Sequence, residues 1–161
     1  MTVRDAGDAW LECACGRRHW GRFGAAGLLL ARRSDSGRAQ VLLQHRALWS
    51  DQGGTWGLPG GALRAGEDPV VGALREAAEE VGVDPAGVAV RGTHVMDHGT
   101  WRYTTVLGVA TGPQHPRRTD AETLDAAWVD LHEVTERPLL VAFGAAGPML
   151  RARVDDELLG A

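Results

Sequence analysis

The stretch from Asp68 to Gly82 constrains this chain more than any other. Asp68 suits a helix N-cap, Pro69 a first helical position and Gly82 a left-handed terminating residue, so the spacing predicts a helix over Pro69 to Val81. On a wheel of ~100° per residue, Glu79 and Glu80 fall within roughly 60° on either side of Glu76. Val70, Val71, Leu74, Ala77, Ala78 and Val81 take the opposite arc, giving the helix one face to bury and one stripe of negative charge. Like charges at i, i+3 and i+4 repel and weaken an isolated helix. A solvated acidic face is one explanation of the stripe. The other is a divalent cation that neutralises it, and an oxygen-only cluster suits Mg²⁺ or Mn²⁺ rather than zinc.

Around this helix the pattern is mixed. The apolar run that follows Arg22 reads as a buried strand, Ser34 to Arg38 as a turn, and Ala39 to Ala47 as the antiparallel partner strand. Asp51 to Gly61 is a glycine-dense loop. Val88 to Asp97 and Trp101 to Thr111 read as two strands joined at His98 and Gly99, and Gly112 to Thr123 as a polar loop. Ala126 to Leu131 is a short strand, and Pro138 to Arg153 a helix with a break expected near Pro148. Strands and helices without a βαβ rhythm favour an α+β sheet flanked by helices. The expected organisation is a lead-in over 1–21 without clear patterning, one domain over 22–153, and a frayed, solvated acidic tail over 154–161.

Composition narrows the chemistry. The 161 residues hold 17 basic and 21 acidic side chains, a net charge of −4, so no global field recruits nucleic acid. Lysine is absent, which excludes Schiff-base and phosphate-loop lysine mechanisms. The three serines, Ser34, Ser36 and Ser50, lie outside any G-x-S-x-G setting. The longest run near the C-terminus without a charged residue or a hydroxyl, Pro138 to Leu150, is too short to span a bilayer, and Arg4, Asp5 and Asp8 stand where a signal peptide would be apolar. A cytoplasmic location is expected. Cys13, Cys15 and His19 form C-x-C-x-x-x-H, three zinc ligands where a structural site wants four, against the plainer reading of reduced thiols.

The spacing around the helix overturns the solvated-face reading. From Gly61 the chain reads G-x5-E-x7-R-E-U-x-E-E-x-G-U, with Glu67, Arg75, Glu76, Ala77, Glu79, Glu80, Gly82 and Val83 filling the later slots. Seven fixed residue types at these positions arise by chance with a probability on the order of one in a million. The segment resembles the Nudix box, and the preceding Trp56 to Gly61 resembles its usual entry. This resemblance implies the Nudix fold, an α/β/α sandwich around a mixed sheet in a single domain, and Mg²⁺-dependent hydrolysis of a nucleoside diphosphate linked to another moiety. Slot by slot it makes Glu76, Glu79 and Glu80 metal ligands, with the Gly61 carbonyl as a further one. Arg75 and Glu67 would pair to hold the helix and its loop, and Gly82 would end the helix. The general base can lie outside the box; Glu122, six residues before Trp128, is the leading candidate, with Asp120 and Asp125 as rivals.

The substrate is less legible. ADP-ribose enzymes of this family carry a proline about fifteen residues beyond the box, where this chain has Asp97, His98 and Gly99. The tyrosine of dinucleoside polyphosphate enzymes finds only the later Tyr103. Elimination leaves a nucleoside triphosphate pyrophosphatase releasing a monophosphate and pyrophosphate, with ADP-ribose or nucleotide-sugar hydrolysis as the alternative. A non-catalytic nucleotide sensor is the third reading, and the four intact box glutamates argue against it. Arg46 and Arg64 are candidate phosphate contacts; Trp49, Tyr103, Phe143 and His98 are candidate contacts to the remainder of a small nucleotide. Neither nucleic acid nor membrane is expected as a partner, and the pattern leaves monomer or homodimer open.

Overall fold

The computed structural model describes residues 6–160. Nine strands and two α-helices run in the order β1 (Trp10–Glu12), β2 (Arg18–Trp20), β3 (Ala25–Arg33), β4 (Ala39–Arg46), β5 (Trp56–Gly57), β6 (Gly60–Ala62), α1 (Pro69–Val81), β7 (Val88–Asp97), β8 (Arg102–Ala110), β9 (Thr123–Asp130) and α2 (Val141–Arg153). Strands β3 to β9 make one mixed sheet of order β5-β4-β3-β8-β7, with β6 also on β3 and β9 also on β4. The β3–β8 pair is parallel, with Ala25 opposite Tyr103 and Ala31 opposite Val109; the other ladders are antiparallel.

Alternation along the central strands builds two cores. Leu28, Leu30 and Leu42 face α1 and pack with Ala73, Ala77 and Val81. Leu29, Ala31, Val41 and Leu43 face the other way, onto Leu150, Val154 and Leu158 from the C-terminal segment. The molecule is the expected α/β/α sandwich.

Local chemistry explains α1. The Asp68 carboxylate accepts the Val70 and Val71 N–H groups at 2.8 and 3.3 Å, and Gly82 at φ +71° closes the other end. The buried arc is rotated from the expected one. Ala73, Ala77 and Val81 are fully buried, while Val71 is 57% exposed. Ala73 lies only about 20° from Glu80 on the wheel, so this rotation draws Glu80 into the interior.

Four expectations need correction. The lead-in contains an antiparallel hairpin, β1–β2, pairing Trp10 with Trp20 and Leu11 with His19. Its three-residue strands are too short to show a period. The glycine-dense loop contributes β5 and β6, and α2 runs through Pro148 without a break. The acidic tail is no frayed end: Val154–Leu158 forms a wide helical turn that buries Val154 and Leu158 against the sheet, with Arg153 bonded to Glu157 at 2.7 Å. Replacing Val154 with Ala is expected to lower the unfolding free energy by about 2 kcal/mol. A urea melt with unchanged slope measures it, and a change under ~0.5 kcal/mol would mean the segment is solvated.

Candidate active site

Strand β6 delivers a backbone to the acidic face of α1. Gly60 and Gly61 pair with Gly27 and Ala26 of β3, a close approach that any side chain on Gly60 would block against the Ala26 carbonyl. The Gly60 N–H donates to Glu80 Oε2 at 3.2 Å. A Cβ on Gly61 would stand 2.8 Å from the Glu76 carboxyl carbon, so glycine leaves the space that Glu76 fills. Glu80 is 5% exposed, and burial pushes its carboxyl well above the ordinary range. The charge on Glu76, and then those on Asp120 and Glu122, push it the same way, while the Gly60 N–H opposes them. Glu76 is also raised, chiefly by burial, and it hydrogen-bonds to Glu80.

Arg75 organises the flank. Its Nε and Nη2 bond Glu67 at 2.8 and 2.9 Å, a bidentate fork, while Nη1 reaches Glu76 at 2.9 Å and Glu79 at 3.3 Å. The Glu67 carboxyl falls below its usual value, first because of the Arg75 bonds and then because Arg64 donates its N–H. Glu79 is half exposed and also faces Arg64 at 3.9 Å.

The loop over 112–122 brings further acids to this point. It uses the last carbonyls of α1 as anchors, with Arg117 N–H to Val81 at 3.0 Å, Thr119 N–H to Glu80 at 3.3 Å, and the Thr119 hydroxyl to Glu79. Buried Gln114 ties the loop's start to both N–H and carbonyl of Asp84, and Glu122 accepts the Ala47 N–H at 2.9 Å. Glu122 is raised by burial first and by Asp120 second, and Arg46 moderates the rise. Asp125 sits on β9 opposite His45 and turns its carboxylate to the Ala126 N–H. The field at Glu80 therefore carries Asp120 and Glu122.

The remaining sequence candidates divide. Tyr103 is partly buried beneath this region, its phenol raised by desolvation and by the charge of Glu80. Arg46 bonds the Asp51 carbonyl at the base of the glycine loop, and Trp49 on that loop is 69% exposed. His45 stacks on Trp56 at 4.4 Å beside them, a pairing that sequence reasoning missed because the two residues lie on different strands. Phe143 packs in the core on the far face of the sheet from α1, and His98 in a ring cluster with His19 and Trp101 at the β7–β8 turn. Those two are not assembled with the acidic pocket.

The acidic pocket fits a divalent cation. Glu76 and Glu80 bring two carboxyl groups together in a largely buried, negatively charged setting, where a cation can balance their charge. Glu79 could join by leaving its two arginines.

A family model described as NUDIX domain matches residues 21–151. The chain belongs to the Nudix hydrolase family. It is 47% identical over 160 residues to a Bifidobacterium longum nucleoside triphosphate pyrophosphatase/Nudix hydrolase fusion protein, covering 96% of this chain but only 33% of that one. A putative 8-oxo-dGTP diphosphatase 3 of Mycobacterium tuberculosis is 44% identical over 155 residues, covering 92% of this chain and 71% of its own. Among solved structures, the Nudix hydrolase RenU of M. smegmatis superposes with a TM-score of 0.83 at 43% identity, covering 91% of this chain and 94% of that chain.

In this Nudix hydrolase the Arg75–Glu67 fork is open to a direct test. Because Glu67 has a lowered folded-state value, its stabilisation is complete above the unfolded carboxyl value of ~4.3 and is lost as pH falls through the folded value. A double-mutant cycle of Glu67→Gln and Arg75→Met is expected to give a coupling of about 1–2 kcal/mol at pH 7 that fades below pH ~4. Additive effects across that range would show that the fork contributes nothing to stability.

Proposed function

We propose that this Nudix hydrolase is a Mg²⁺-dependent nucleoside triphosphate pyrophosphatase, releasing a nucleoside monophosphate and pyrophosphate. The observation that carries this reading is buried Glu80, held by the Gly60 N–H beside the partly buried Glu76, with Asp120 and Glu122 contributing to the field at Glu80. The description of the M. tuberculosis relative as a putative 8-oxo-dGTP diphosphatase supports the triphosphate over the ADP-ribose alternative.

Glu76, Glu79 and Glu80, with the Gly61 carbonyl, would hold the metal. When bound, Mg²⁺ (or Mn²⁺) neutralises the polyphosphate and lowers the barrier to attack by water. Arg75 and Glu67 keep α1 and its entry loop in register. Glu122, with a carboxyl raised toward neutrality, accepts the proton of the attacking water. Arg46 and Arg64 meet phosphate oxygens at the rim, and Trp49 offers an exposed ring on which a base can stack.

The test is a panel of nucleoside triphosphates, ADP-ribose and nucleotide sugars, with phosphate and pyrophosphate resolved. Monophosphate plus pyrophosphate from a triphosphate, dependent on Mg²⁺ and abolished in Glu80→Gln, is the expected result. Preferential cleavage of ADP-ribose would replace the proposed substrate, and binding without turnover would make the chain a sensor. Glu122→Gln is expected to lower kcat by about 10²–10⁴-fold while Asp125→Asn leaves it within a few-fold. The reverse ranking would reassign the base.

A further inference from the structure

The β1–β2 hairpin carries a second donor set, chemically unlike the first. Its turn is closed by the Cys13 N–H to the Arg17 carbonyl at 2.9 Å and the Gly16 N–H to the Cys13 carbonyl at 3.0 Å, with Gly16 at φ +85°. This turn places the Cys15 sulfur 3.2 Å from His19 Nε2. The ligand atoms of Cys13, Cys15 and His19 all lie within 4.8 Å of one another. Tetrahedral zinc, with bonds of ~2.3 Å to sulfur and ~2.0 Å to nitrogen, sets such atoms about 3.6–3.8 Å apart, so small side-chain rotations complete the geometry.

The surroundings fix the ligands. His19 stacks flat on Trp101, 4.1 Å between centroids and 8° between planes, which sets the imidazole's orientation. Cys13 is buried, receives the Thr100 hydroxyl at 3.4 Å and points at the His98 carbonyl at 3.1 Å. Ala14 N–H donates to the same Thr100 hydroxyl at 3.1 Å. Ligands held by outer contacts in this way resemble an oriented metal shell more than a chance group of thiols. The other close group, Asp130 with His132 and Glu133, differs: its Asp130 carboxylate is already taken by Arg38 at 2.9 Å and Gln40 at 2.8 Å.

We propose that Cys13, Cys15 and His19 bind one Zn²⁺, with water in the fourth position, tying the two sides of the hairpin together beside the β7–β8 turn. Thiolate and imidazole donors select zinc over Mg²⁺, so the site does not compete for the cation of the carboxylate pocket. Binding releases two thiol protons to solvent, and Cys13 then ceases to donate to the His98 carbonyl. His19 binds as neutral imidazole through Nε2.

The full chain, reduced and stripped with chelator, is titrated with Zn²⁺ against a chromophoric competitor in excess Mg²⁺. One zinc per chain is expected, with a rise in melting temperature, and Co²⁺ in its place is expected to show thiolate-to-cobalt charge-transfer absorption. Cys15→Ser and His19→Ala, at positions outside the buried core, should each weaken zinc binding at least tenfold, while Glu80→Gln leaves it unchanged. No stoichiometric uptake by the parent overturns the proposal, as does undiminished affinity in the Cys15→Ser/His19→Ala double variant.

Discussion

A carboxylate removed from water costs free energy unless its charge is balanced, and Glu80 imposes that cost at the centre of this domain. It sits beside the apolar stripe of α1, 5% exposed, with Glu76 bonded to it and two further acids in its field. The backbone donor it receives from Gly60 is small compensation for so much negative charge. Much of the surrounding structure answers this one problem. Glycines at 60 and 61 let β6 press against the helix, and the Arg75 fork balances the outer flank without reaching the innermost carboxyl.

The same helix end also sets the reach of the later loop. The last turn of α1 has carbonyls without helical partners, and Arg117 and Thr119 satisfy them. A general feature of helix termini thereby becomes the device that carries Asp120 and Glu122 to Glu80. The loop is anchored independently at Gln114 and at the Ala47–Glu122 bond, so its acids are held from both ends.

Much of this was legible in the sequence where the signal was local. Asp68, Pro69 and Gly82 announce α1, and the spacing from Gly61 to Val83 announces the family. Glu122 is singled out by its distance from Trp128, and pairing sets one rival apart: β9 begins at Thr123, which puts Asp125 on a strand and leaves Asp120 and Glu122 together on the anchored loop. The hairpin and the buried C-terminal turn escaped because their information is non-local. Three-residue strands have no period, and the acidic run Asp155 to Glu157 conceals Val154 and Leu158 spaced to reach one face. Phe143 and His98 looked like substrate contacts because composition marks a ring as useful without saying on which side of the sheet it lies.

The central claim is that the acidic pocket is a cost to the fold in the absence of a cation. Because burial raises the folded-state value of Glu80, its protonated form favours folding; that advantage is complete below the unfolded value and is lost as pH rises through the folded one. Melting temperatures of the parent and Glu80→Gln, compared at pH 7–8 with and without Mg²⁺, measure the claim most directly. The account predicts that the variant melts higher in chelated buffer, each ~1 kcal/mol relieved appearing as about 2–4 °C, and that Mg²⁺ raises the parent more than the variant. A variant that melts lower without metal, or an equal response of both proteins to Mg²⁺, would contradict it.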